Sequence, residues 1–413
     1  LAIAQPVGEQ TLLHYYKSWC LIRLGKTAEA QIAIATAEKE PADYCFPNAL
    51  EAIEALQCVV DFAGKAPKAL YYLGNLWYDK RRYPTAIAAW ERSSREDETF
   101  PTVWRNLSLA YFNKMNRPDE AVALLEKAFR LDHTDARVLM ELDQLYKRLN
   151  RPHIERLCFL EQHIDIVMTR DDLYLEYVTL LNQTGQYREA IRRIDQRKFH
   201  PWEGGEGKVP AQYQLARLEL AKELINRKKY DDALALIDEC YIYPTHLGEG
   251  KLPGAQENDF NYYKAYILQQ QGRPEEAHSL FVKACSGNSQ PAAAMYYNDQ
   301  KPDKIFYQGL AYRKLGEEEK ARSRFNQLIT YGEEHLFDRF KMDYFAVSLP
   351  DLLIWEDDMD KKNRIHCNYL MALGHLGLGN RTKAEHFFDI AASMDNNHQG
   401  VQIHRKLMNT ILS

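Results

Sequence analysis

The chain has 413 residues, 46% of them apolar and 27% charged, a balance that supports a folded core and excludes a disordered, collagen-like or low-complexity polypeptide. With 53 Lys and Arg against 58 Asp and Glu, the formal charge of −5 provides no global cationic field, so nucleic acid is not an expected partner. No stretch approaches the roughly 18 consecutive apolar residues of a membrane helix, so no membrane partner is expected either. The seven cysteines are odd in number and never spaced as CxxC, which argues against a disulfide framework or zinc ribbon and favours a reducing, cytoplasmic setting over a secreted one. The start, LAIAQPVGEQ, has neither an initiator Met nor a signal-peptide pattern, so a segment of a longer parent chain is expected.

A chain this long ordinarily divides into two or three domains, unless it is a repeat array. Helical spacing of apolar residues recurs throughout. A first copy runs from His14 to Ala37 (Leu21, Gly25, Ala30, Ile34, Ala37), followed by an irregular stretch, Pro41 to Ala66, that predicts a helix from Ala49 to Phe62. The clearest unit is Ala69 to Ser94, where Leu70, Leu73, Gly74, Trp77, Tyr83, Ala86 and Trp90 mark two amphipathic helices around a basic turn. Val103 to Asp132 repeats it with Trp104, Leu107, Tyr111, Ala121, Leu125 and Ala128, and Leu139 to His163 is a degenerate copy. Further copies are Asp172 to Arg197, Leu215 to Cys240, Asn261 to Cys285, Ile305 to Leu328 and Asn368 to Met394.

These positions resemble the tetratricopeptide repeat: a large residue, Leu, Gly or Ala, and Tyr on a first helix, then Ala, an aromatic and Ala on a second. The resemblance covers nearly the whole chain and implies an all-α solenoid of about nine helix pairs. Small residues such as Gly74 and Gly309 would admit close helix approach, and Trp90, Phe281, Phe325 and Phe388 would fill the space between pairs. The predicted segments are an N-terminal repeat with its irregular helix (1–66), regular repeats (67–199), long-period repeats (200–330), and a helical insertion with the last repeat (331–413).

The chain departs from the family in its period. The alanines Ala190, Ala233, Ala277 and Ala321 are spaced 43, 44 and 44 apart, against about 34 for the standard repeat. The added residues include HPWEGGEGKVP (His200 to Pro210) and HLGEGKLP (His246 to Pro253), which share GEGK, an apolar residue and Pro. Gly and Pro at this density predict loops between one pair and the next. Two readings stay open: an ordered connection, or a contact ridge made by His200, Trp202, Glu203, Glu206, Lys208, Glu249 and Lys251. A phosphate loop is excluded, because GxxxxGK[ST] is absent and Val209 follows Lys208. The string HPWEGGEGK also resembles the repeat-rich C-terminal region of large bacterial proteins that carry an N-terminal, carbohydrate-associated β-rich domain. That resemblance implies an attachment to another domain of the same parent chain.

Catalytic signatures such as HExxH, GxSxG and GxGxxG are absent, and no cofactor or metal is implied. Glu356, Asp357, Asp358 and Asp360 lack the spacing of a calcium loop and read as a solvated acidic turn. The long insertion Tyr331 to Asn363 is too apolar for a free loop; it predicts additional helices, with Phe337, Phe340, Tyr344, Phe345 and Leu352 packed on the array and Trp355 exposed. The family resemblance places the first helices on a concave face. The inward positions there include Lys68, Tyr71, Asn75, Tyr78 and Arg105, then Asp259, Tyr262, Tyr266 and Gln269, then Asp303 and Arg313. Tyrosine with amide and guanidinium groups suits a recognition groove. The expectation is a non-catalytic scaffold binding a protein or peptide there; the alternative is an accessory helical domain of a carbohydrate-active enzyme, its GEGK loops contacting a preceding β-rich domain.

Overall fold

The computed structural model describes residues 10–294, 299–339 and 354–408. Among the described residues are twenty-one α-helices and no strand. They are α1 (Gln10–Arg23), α2 (Thr27–Lys39), α3 (Glu51–Ala63), α4 (Pro67–Asp79), α5 (Tyr83–Glu96), α6 (Pro101–Met115), α7 (Pro118–Leu131), α8 (Ala136–Arg148), α9 (His153–Gln162) and α10 (Ile164–Val167). After them come α11 (Asp171–Gln183), α12 (Tyr187–Asp195), α13 (Lys208–Asn226), α14 (Tyr230–Cys240), α15 (Asn258–Gln270), α16 (Pro274–Ala284), α17 (Pro302–Lys314), α18 (Glu318–His335), α19 (Met359–Gly377), α20 (Arg381–Met394) and α21 (Gln399–Leu407). Two compact units are present, residues 1–145 and 146–413.

The expected all-α array of helix hairpins is what the described residues form. Nine hairpins (α1/α2, α4/α5, α6/α7, α8/α9, α11/α12, α13/α14, α15/α16, α17/α18 and α19/α20) use one turn chemistry. Each turn holds one residue in the left-handed region: Gly25, Arg81, Asn116, Asn150, Gly185, Lys228, Gly272, Gly316 and Gly379. The next N–H then reaches back to a carbonyl in the last turn of the first helix, as Arg82 does to Trp77 (2.8 Å) and Arg273 to Leu268 (2.9 Å). This is the Schellman closure, which satisfies carbonyls the helix end leaves orphaned. Within each unit consecutive hairpins stack: α4 packs on α3 and α2, and α6 on α5, in unit 1, while in unit 2 α13 packs on α11 and α12, α15 on α14, α17 on α15 and α16, and α19 on α17 and α18.

Small-against-large packing makes the hairpins tight. A Cβ added to Gly74 would lie 2.2 Å from the Trp90 indole, and one added to Gly309 or Gly377 would lie 2.4 or 2.2 Å from the Phe325 ring. The second-helix alanines Ala30, Ala86, Ala121, Ala190, Ala233, Ala277, Ala321 and Ala384 are all buried. The predicted extra helix before the second clear unit is α3, displaced by two residues or fewer from its expected ends.

The insertion before the last hairpin differs from expectation. Its first residues, Tyr331 to His335, extend α18, and its last, Met359 to Asn363, begin α19, so the described part adds length to flanking helices. Phe337 is 84% exposed where packing was expected, because it follows the end of α18. Phe340, Tyr344, Phe345 and Leu352 lie outside the described residues. Trp355 is 1% exposed, contrary to the expected exposed aromatic: Arg148 donates to its carbonyl (3.0 Å) and pairs with Asp357 beside it. The acidic turn is correspondingly built in, with Asp357 also paired to Lys362 and Asp358 capping α19 by accepting from the Lys361 N–H at 2.8 Å.

Unit 2 also closes on itself. The turn after α20 exchanges hydrogen bonds with the turn between α8 and α9: Asn396 donates its backbone N–H to Asn150 Oδ1 (3.1 Å) and its side-chain amide to the Asn150 carbonyl (2.8 Å). Arg156, fully buried on α9, donates to Asn397 Oδ1 (2.7 Å) and Glu176 (2.7 Å). Gln183 reaches the Asn397 carbonyl (2.8 Å), Gln212 pairs with Gln399, and Lys406 reaches Tyr187. Helix α21 is thereby laid across the first-helix face of its own unit.

The packing makes opposite predictions for two small substitutions in unit 2. Gly309→Ala should lower unfolding free energy by about 1–3 kcal/mol through overpacking against Phe325. Lys228→Gly, which removes a strained left-handed side chain on the surface, should raise it by about 0.5–1 kcal/mol. Urea denaturation of both variants measures the two signs.

Candidate functional site

In unit 1 the groove candidates lie along α4 and α6 and are joined side to side. Trp90 Nε1 donates to Asn75 Oδ1 (3.2 Å), which also accepts from Asn106 Nδ2 (3.0 Å). Arg105 donates to Asn106 Oδ1 (3.2 Å) and forms a two-point fork with Glu141 on α8, both contacts at 2.6 Å. Glu141 is fully buried, so the fork neutralises a charge that would otherwise be desolvated without a partner. Burial disfavours the Arg105 cation, but Glu141 outweighs this and pushes its pKa up. Tyr71 is buried against Phe100, Tyr78 meets Tyr83 edge to face and Trp90 at a tilt, and the Lys68 ammonium reaches the Glu40 carbonyl at the end of α2.

In unit 2 the candidates separate. Tyr262 is buried among Tyr263, Phe281 and Tyr307, inside the core. Tyr266 is half-buried under the Lys314 ammonium, Gln269 is exposed, and Arg313 pairs with Glu318 (3.2 Å). The inward face of this unit is instead occupied. Between α13, α15, α17 and α19, with α21 as a roof, lies a cavity of about 360 Å³. Asp259 and Asp303, two inward positions of the sequence reading, line it. Other charged and aromatic walls, not singled out from the sequence, include Glu219, Lys222, Lys301, Lys304, His366 and His404. One signal was available, namely charged side chains inside the apolar run of a first helix, as in LELAKELI around Glu219 and Lys222.

The cavity charges are compensated in pairs. Lys304 lies 2.5 Å from Asp259 and 3.7 Å from Asp303, and Lys222 pairs with Glu219 one turn away. Burial works against each charged form, yet Asp259 and Asp303 raise the Lys304 pKa, and Lys304 foremost lowers that of Asp303. Burial holds His404 and His366 neutral, lowering each to about 4. His404 Nδ1 is 2.8 Å from the Gly400 carbonyl and 3.0 Å from the Tyr369 hydroxyl, while its buried Nε2 has no hydrogen-bond partner. Gly400 passes so close to the Tyr369 hydroxyl that an added Cβ would stand 2.6 Å from it, which leaves no room for any side chain.

The two GEGK loops dock on each other. Phe199 N–H donates to the His246 carbonyl (2.8 Å), and Gly207 N–H donates to the Glu249 carboxylate (2.7 Å). His200, Trp202, Glu203, Glu206 and Glu249 line one pocket of about 260 Å³. At the rim, Asp171 accepts from the His200 backbone N–H (2.9 Å) and contacts its ring. Burial and then, more weakly, the Glu206 charge raise the Glu249 pKa, although the Gly207 N–H opposes them. Lys208 is exposed at the start of α13, and Lys251 is tied to its own loop by the Tyr241 carbonyl (2.9 Å) and Glu257.

Two stretches, residues 101–135 and 305–331, match the tetratricopeptide repeat family. They coincide with the α6/α7 hairpin and with most of α17/α18. Among solved structures, the chain is similar to a tetratricopeptide repeat protein from Parabacteroides merdae, at 16% identity over 74% of this chain and 99% of that one, with a TM-score of 0.28. It is similar to a chain of Naa15/Naa10 bound to HypK-THB, at 12% identity over 94% of this chain and 66% of that one, with a TM-score of 0.41. A third is PilW, a type IV pilus biogenesis factor, at 16% identity over 52% and 91%, with a TM-score of 0.29.

The neutral histidines give the fold a pH dependence with a definite window. Between the ordinary 6.5 and about 4, the unfolded chain binds protons that buried His366 and His404 refuse. The stability these two groups confer is therefore fully present above pH 6.5 and falls as the pH drops toward 4. Glu176 acts lower. Burial alone would raise its pKa, but Lys147 and Arg156 hold it down to about 2, so its contribution is lost from 4.5 downward. His366→Gln should remove about one proton's worth of slope, ~1.4 kcal/mol per pH unit at most, from the upper window only. Urea midpoints between pH 7 and 4 measure it.

Proposed function

We propose that the chain is a non-catalytic scaffold that binds a protein or peptide along a first-helix face, as part of a larger protein. The observation that carries this reading is the C-terminal return of unit 2. Residues 396–406 are held against α9, α11 and α13 by an amide and guanidinium set, Asn150, Arg156, Gln183 and Gln212, which is how a helical groove grips a polypeptide. Unit 1 carries a comparable set along α4 and α6, with Lys68, Asn75, Arg105 and Asn106 half-buried. Such groups orient a peptide backbone, while the half-buried Tyr78 and Trp104 add apolar area at little entropic cost.

A second reading has one observation in its favour. The pocket formed by His200, Trp202, Glu206 and Glu249 brings together residues from both GEGK loops, as a site for contact with a neighbouring domain of the parent would need. In that reading the helical array is an accessory domain, and the preceding β-rich domain carries the chemistry.

A displayed library of random peptides panned on the purified chain tests the first reading. Enriched peptides should bind at least tenfold more weakly to the double variant Lys68→Ala, Asn106→Ala, with the urea midpoint nearly unchanged. Absence of enrichment, or indifference to both substitutions, would overturn it. Peptides that lose affinity on Trp202→Ala instead would favour the second reading.

A further inference from the structure

We propose that the interior cavity of unit 2 is a binding site for a small, uncharged, polyhydroxylated molecule of monosaccharide size, independent of any protein bound outside it. The argument begins with charge. Glu219 is paired with Lys222, and Lys304 serves both Asp259 and Asp303. An entering cation would meet three ammonium groups, Lys222, Lys301 and Lys304, and an entering anion three carboxylates, Glu219, Asp259 and Asp303. With lining charges of both signs equal in number, a neutral guest is the one that adds no net charge to the site.

The hydrogen-bonding groups then select its chemistry. His366 Nε2 sits 2.7 Å from the Ala292 carbonyl, so the proton belongs there and Nδ1 remains an acceptor. His404 Nδ1 faces the Gly400 carbonyl at 2.8 Å, which places its proton on Nδ1 and leaves Nε2 as a bare lone pair. That nitrogen is buried, unpartnered and on the side away from its own helix carbonyl, so it asks for an O–H or N–H donor. His398 differs: its Nδ1 accepts from the Val401 N–H (3.1 Å), leaving Nε2–H as a donor. A wall that offers acceptors at His366 and His404 and a donor at His398 matches hydroxyl groups, which do both.

Size and shape agree. About 360 Å³ lies at the small end of ligand-binding cavities, and Tyr307, Tyr369 and Phe260 supply ring edges for a C–H face. The roof is made by residues 398–404, so the C-terminal return that fills the groove also completes the cavity.

Calorimetric titration of the intact chain with D-glucose, D-galactose, D-mannose and myo-inositol tests the proposal, with putrescine and citrate as charged comparators. At least one neutral polyol should bind saturably with a Kd at or below about 1 mM, shift the His404 ring nitrogen resonance, and bind at least tenfold more weakly to His404→Phe and to Asp303→Asn. Should His404→Phe not fold, Asp303→Asn and the ring resonance of the unaltered chain still decide. No saturable binding by any of the four polyols, binding confined to putrescine or citrate, or binding indifferent to the substitutions would overturn the proposal and leave a water-filled cavity.

Discussion

The guanidinium of Arg156 is sealed from water, and a buried cation of this kind is tolerated only when its N–H groups are met by acceptors. The acceptors it finds are Glu176, two helices on, and Asn397, 241 residues later. That requirement binds the start of unit 2 to its end. Between these two ends, α13, α15, α17 and α19 share a cavity that residues 398–404 also line.

Enclosure changes what the same face can do. Along unit 1, the side chains of α4, α6 and α8 satisfy one another in a strip that remains half-exposed at Lys68, Asn75 and Arg105. In unit 2, the corresponding face carries buried ion pairs and neutral histidines, which are costly to bury unless arranged with care. Among the polar atoms left without a hydrogen-bond partner on residues lining the cavity are His404 Nε2 and Asp259 Oδ1, the latter in ion contact with Lys304. Leucine at Lys222 and Lys304 alone would strand the Glu219, Asp259 and Asp303 carboxylates, and breaking a buried pair in this way costs about 3–5 kcal/mol.

The hairpins were legible because their determinants are local. Gly74 with Trp90, or Gly309 with Phe325, lie within a single repeat, and their spacing survives in any one copy. The left-handed turn residue is legible as Gly at five of nine turns and hidden as Arg81, Asn116, Asn150 or Lys228 at the others. The closure of unit 2 was not legible, because Asn150, Gln183, Gln212, Asn397 and Gln399 are ordinary polar residues in separate repeats, and nothing local says that they meet. The groove register was only partly so. Asp259 and Asp303 face the cavity, but Tyr262, three residues after Asp259, does not line it and packs against Tyr263, Phe281 and Tyr307 in the core. Trp355 is hidden for a related reason: its neighbours in sequence are acidic, while its neighbours in space are the buried side of Arg148 and the start of α19.

The GEGK loops show why an insertion can itself be repeated. Gly248 lies in the left-handed region and passes so near Phe199 that an added Cβ would stand 2.7 Å from the Phe199 carbonyl oxygen. Gly205 lies equally close beneath the Trp202 indole. These glycines therefore permit close approach as well as turning. Glu249, from the second copy, accepts the Gly207 N–H at the head of α13, where an anion is favoured by the helix's exposed amide groups. Glu206, its counterpart in the first copy, accepts instead from its own loop at Gly204. The second loop thus supplies an acceptor at the head of α13 that the first does not, so the two motifs, 43 residues apart, meet across the hairpin between them.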